Sequence, residues 1–136
     1  VLKRNRLIYV FEPLAHLESL NFIKTIKANI FVGGHFPPLP LSDCHNLLEI
    51  NKKHVESTFQ FIKNIISTPQ TTERILKELL TKFHLRKSGW EYFIYRSALN
   101  GYLSALKRDG KADCKVIDNL LLWITTSAVA QTQRKV

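Results

Sequence analysis

Methionine is absent from all 136 residues, and glycine, proline and cysteine are scarce, at five, five and two. A complete reading frame begins with Met, and a natural chain of this length usually holds several. The expectation is therefore a fragment or processed piece of something longer. The two cysteines, Cys44 and Cys114, stand 70 positions apart with no C-x-x-C between them. That excludes a disulfide framework or a zinc ribbon, and both are expected as reduced thiols. No unbroken apolar run exceeds the five residues of Leu7 to Phe11. A spanning helix needs about 20 such residues, so no transmembrane segment and no membrane partner are expected. The basic start (Lys3, Arg4, Arg6) is followed by too short an apolar core, and no small-residue cleavage site, for a signal peptide. A cytoplasmic location follows as the default.

What is present is the balance of a globular protein: 45% hydrophobic and 23% charged residues. The net charge is +9, with 8 Lys and Arg against 5 Asp and Glu up to Ser67 and 12 against 6 beyond it. The excess is spread, without a run of five like charges, which favours a solvated surface over a nucleic-acid footprint.

The segment Ala28 to Leu39 organises the chain. Its β-branched and aromatic residues read as a short buried strand, ended by Gly33-Gly34 and stiffened by Pro37-Pro38. His35 then stands on a loop at a strand end, where an imidazole can face a cleft. Leu7 to Phe11 reads as a strand stopped by Glu12-Pro13. Leu17, Leu20, Ile23 and Ile26 recur at near-helical spacing, so a helix is expected over 15–27. Strand, helix and strand make a βαβ-like piece of a layered fold that wants more sheet than these residues supply.

Beyond Pro40 the pattern turns helical. A long helix is expected from Ser42, with Leu48, Val55, Phe59, Ile62 and Ile66 on one face, until Thr68-Pro69-Gln70 ends it. Thr71 or Thr72 caps the next helix, which carries Ile75, Leu76, Leu79, Leu80 and Phe83. A further helix runs from Trp90 to Lys107, closed by Asp109-Gly110. Two strands, Lys111 to Ile117 and Leu120 to Thr125, flank Asp118-Asn119, a pair suited to a tight hairpin turn. Three helices followed by a two-stranded wing give a winged helix-turn-helix topology. The whole reads as α+β: a lead over 1–41, a winged-helix-like module over 42–126 and a tail over 127–136.

In their order these parts resemble the C-terminal part of a metallo-β-lactamase-fold hydrolase, of the lactamase-β-like branch with a winged C-terminus. The motifs are Leu-Glu-Ser-Leu-x-x-Ile-Lys at Leu17 to Lys24, Gly-His-x-x-Pro at Gly34 to Pro38, and Asn-Lys-Lys-His at Asn51 to His54. Tyr-Leu-x-x-Leu-x-x-x-Gly at Tyr102 to Gly110 completes them. The resemblance implies an αββα sandwich and a site for one or two metal ions, usually zinc. Metal-activated water would there hydrolyse an ester, thioester, amide or phosphoester of a small-molecule substrate. It also implies that His35 is the last protein ligand to the metal. The departures are plain: no His-x-His occurs, the first Asp is Asp43, and Phe36 follows His35 where the family more often has Gly. This piece alone is therefore expected to hold no zinc and to be inactive.

The other candidates have simpler readings. His45 and His54 are nine apart, on opposite faces of a helix, and form no joint site; His54 is expected to pack or hydrogen-bond near the junction of the two modules. His16 and His84 read as surface residues. Trp90, Tyr92, Phe93, Tyr95, Tyr102 and Trp123 read first as core, and second as a stacking platform or dimer face. Arg96, Asn100, Ser104, Lys107, Arg108, Lys111 and Lys115 are outward candidates for phosphate contacts, but thin for base readout. The alternative function is a basic winged-helix nucleic-acid-binding module. A homo-oligomer is expected, because a short sheet edge and apolar surface call for cover.

Overall fold

The computed structural model describes residues 9–33, 37–84 and 88–127. The architecture is α+β, with nine elements in these residues. Helix α1 spans Pro13–Ile23, with Pro13 in its first turn, where a missing N–H costs nothing. It ends earlier than the apolar spacing predicts. The Thr25 N–H and hydroxyl both turn back onto the Phe22 carbonyl, at 2.9 and 2.8 Å, and tighten the last turn.

Strands β1 (Ile30–Phe31) and β2 (Leu39–Pro40) follow and pair antiparallel, with Ile30 opposite Pro40 and Phe31 opposite Leu39. This corrects the expected strand–helix–strand order, since β1 finds its partner after it in the chain and not before α1. Tyr9 and Val10 are irregular and Phe11 lies in a bend, while Leu7 and Ile8 lie outside the described residues. The reason is local. Val10 and Phe11 run against Gly101 of a later helix, where an added Cβ would collide with the Phe11 carbonyl oxygen. A backbone pressed onto a helix has no sheet neighbour to pair with.

Helix α2 (Leu41–Ile65) is the spine. Asp43 in its first turn and Lys63 in its last suit the helix dipole. Cys44 and Leu48 close a small core with Leu20, onto which Leu17, Ile23, Phe31 and Leu41 pack. Further along, Val55, Ile62 and Ile66 enter the main core with Ile75, Leu76, Leu79, Leu99, Tyr102, Leu103 and Trp123. Leu17 touches both cores.

Strand β3 (Gln70–Thr71) leads into α3 (Thr72–Lys82), where the Thr71 hydroxyl caps the helix by accepting the Arg74 N–H at 3.2 Å. Helix α4 (Gly89–Arg108) is followed by Gly110 at φ +65. Strands β4 (Ala112–Ile117) and β5 (Leu120–Thr125) form the wing. Asp118 and Asn119 take φ +50 and +62, the positive values a two-residue hairpin turn needs. The sheet order is β3-β5-β4, all antiparallel. The wing is tied to the spine by the Thr125 N–H on the Ile66 carbonyl, at 2.9 Å. Inside, the Trp123 indole N–H donates to the Thr72 hydroxyl at 3.2 Å.

Two expectations on burial need correcting. The strand expected to be buried is β1, of two residues, where Ile30 is 63% exposed and Val32 just after it 73%, only Phe31 turning onto the small core. Trp90 and Phe93 are 66% and 67% exposed, so the aromatic group divides. Tyr102 and Trp123 are core, Tyr92 and Tyr95 pack on its margin, and the other two face outward.

Candidate functional site

His35, the residue on which the metal-site expectation rests, lies outside the described residues, together with Gly34 and Phe36. What surrounds it in sequence is defined. Phe31 of β1 and Leu41 at the start of α2 pack on the Leu20, Cys44 and Leu48 core. The Leu41 N–H donates to the Asn29 carbonyl at 3.2 Å, closing the base where α2 begins. Around this base Phe22, Ile26, Ile30, Val32 and Ile50 stay exposed. Lys24 and Glu49 join α1 to α2 in an ion pair beside them.

Among the described residues no three His, Cys, Asp or Glu side chains come together in a way that could hold a metal ion. His45 is exposed in the second turn of α2, and His54 is half-buried nine residues on. The His54 carbonyl accepts the Thr58 hydroxyl at 2.8 Å and the Ser57 hydroxyl at 3.0 Å. His84 is exposed at φ +48, just past the end of α3.

His16 departs from the surface reading. It is half-buried on α1, its Nε2 is shielded from solvent without a partner among the described residues, and burial lowers its pKa below 6.5. Cys44 is fully buried, and burial pushes its thiol up. That is the environment of an inert structural thiol.

The outward face of α4 bears on the nucleic-acid reading. Arg96 bonds Glu73 on α3 at 3.0 Å, Lys107 bonds Asp113 on β4 at 3.2 Å, and Arg108 pairs with Glu12. Lys111 pairs with Asp109. Four of the seven phosphate-contact candidates are thus already matched with carboxylates. The Cys114 sulfur, 3.1 Å from Lys107 Nζ, and the Asp113 carboxylate together raise the Lys107 pKa. The Cys114 N–H and Lys107 lower that of Asp113. The N-terminal end of the same face is apolar, at Trp90 and Phe93.

Sequence reasoning missed the clefts beside α2. One, of about 320 Å³, lies between α1, α2 and the end of α4, and includes Leu14, Leu17, Phe59 and Leu106. A second, of about 620 Å³, lies between the end of α2 and the end of β5, where Lys63 and Lys111 stand among Gln60, Asn64, Ser67 and Thr126. Lys63 and Lys111 are 48 positions apart in sequence. No motif or period joins them, and only the docking of the wing does.

Comparison with known proteins brings no relative: no family model matches the chain, and no curated protein does.

Proposed function

We propose that the chain is the C-terminal portion of a metallo-β-lactamase-superfamily hydrolase. In this reading His35 is one ligand of a zinc site whose other ligands lie in a preceding part of the protein. The observation that carries it is the order of parts. A short helix leads to a Gly-His-x-x-Pro segment between two short strands, a long helix follows, and that helix runs into a helix-and-wing module. The exposed apolar side chains of Phe22, Ile26, Ile30 and Val32 support the reading, since such a surface ordinarily meets a partner. Here that partner is the rest of the αββα sandwich. The winged-helix-like module, from α2 to β5, would shape the substrate cleft or a homodimer interface. The chain by itself is inactive.

The test joins the chain to the segment encoded upstream of it and assays ester, thioester and phosphoester hydrolysis. Zinc-dependent turnover that falls on His35→Ala supports the reading. An upstream segment without His-x-His-x-Asp-His, and without zinc-dependent turnover, contradicts it.

A second reading, a basic winged-helix module for nucleic acid, is favoured by the sheet order β3-β5-β4 around three helices. The matched cations of α4 and the aliphatic wing tip, Val116, Ile117, Leu120 and Leu121, weigh against it. Duplex binding that falls steeply between low and moderate salt would favour it, because counterion release drives such binding.

A further inference from the structure

Strand β4 is the outer strand of the wing sheet, and among the described residues it pairs only with β5. The two-residue turn at Asp118-Asn119 makes Ile117 and Leu120 a hydrogen-bonded pair, and alternation then assigns the inward groups. Asp113, Lys115 and Ile117 bond toward β5, while Ala112, Cys114 and Val116 direct their N–H and C=O groups to the open edge. The Cys114 N–H is consistent with this: it donates to its neighbour's side chain, Asp113 Oδ1, at 2.8 Å. An open edge of six residues flanked by exposed aliphatics is a template for strand addition.

The side chains of this edge say which strand fits. An antiparallel copy of β4 centred on Cys114 sets Asp113 opposite Lys115 of the second copy, and Lys115 opposite its Asp113. Both pairs lie on one face, as directly opposed residues do. On the other face Ala112 meets Val116, a small residue against an exposed large one. Among registers that pair β4 residues (Ala112–Ile117) alone, the strand is its own charge complement in this one.

We propose that two copies of the chain associate through β4, in antiparallel register about Cys114, to continue the wing sheets into one six-stranded sheet. The Asp113 carboxylate exchanges its bonds to the Cys114 N–H and to Lys107, which swings off the edge, for Lys115 of the second copy, and the freed N–H takes a carbonyl across the interface. The two Cys114 residues then face each other as a hydrogen-bonded pair, with Cα atoms about 5.5 Å apart. The inference is independent of both functional readings.

Sedimentation and thiol crosslinking of the full chain test it. The wild type is expected to be dimeric, and a short bismaleimide is expected to join the copies through Cys114, with Cys114→Ser as the control. Cys44, fully buried, does not compete. Asp113→Lys is expected to weaken the dimer roughly tenfold, because two cross-strand pairs turn from attractive to repulsive. The double variant Asp113→Lys with Lys115→Asp is expected to restore it, since the register is again self-complementary. A monomeric wild type, a dimer without the Cys114 crosslink, or a double variant as weak as the single one would each overturn the proposal.

Discussion

Tyr102 heads the side chains that the fold encloses completely, and its hydroxyl makes no hydrogen bond of good geometry among the described residues. Burial pushes the phenol up to about 12, offset in part by the Thr58 hydroxyl, whose own proton goes to the His54 carbonyl. The ring is held from the side by Phe59, edge-on at 4.9 Å between centroids. Removing an unpaired buried hydroxyl while keeping the ring relieves a desolvation cost. Tyr102→Phe is therefore expected to leave stability unchanged or raise it by up to about 1 kcal/mol, read from a urea midpoint. A clear loss would show that the hydroxyl bonds after all. His16 gives a second prediction. Its folded pKa lies below the unfolded value of 6.5, so between the two the unfolded chain binds more protons. Stability should hold above pH 6.5 and decline as pH falls through that window. His16→Leu should remove this component of the pH dependence, and an unchanged profile would assign it elsewhere.

Gly101 shows how an element is placed by a residue that pattern reasoning passes over. In an isolated helix Gly→Ala stabilises by about 1 kcal/mol. Here the added methyl would collide with the Phe11 carbonyl oxygen and come within 3.2 Å of that of Val10. Gly101→Ala is expected to destabilise by about 1–3 kcal/mol, as overpacking does, and to open the Val10–Phe11 lead to protease. A rise in melting temperature would contradict that contact. The same comparison shows what the sequence made legible. Ile75, Leu76 and Leu79 are buried where their spacing predicts, and Asp118-Asn119 turns where its residue types predict. Trp90 and Phe93 stand nine residues before Leu99 and Tyr102, a step that sets them on the opposite face of α4 from the buried stripe, so they face out. The pairing of β1 with β2 could not be read from spacing, since two-residue strands have no period. The shielding of His16 arises from tertiary packing, which carries no local signal.

At the scale of the whole molecule, α2 joins two cores, a small one under the β1–β2 pair and a larger one under the wing, with Leu17 common to both. The α+β class was legible from the change of period along the chain. The candidate site was legible only as a motif, because a metal centre needs several donors and no spacing in the sequence brings a second one to His35. The net charge of +9 decides little, since much of it along α4 is matched by Glu73, Asp113 and Glu12. The most direct measurement is the zinc content, by elemental analysis, of the chain joined to its upstream segment, with and without His35→Ala. Stoichiometric zinc in the parent and its loss in the variant, at unchanged circular dichroism, are expected. Full retention in the variant, or no zinc in either protein, would contradict the assignment of His35 as a ligand.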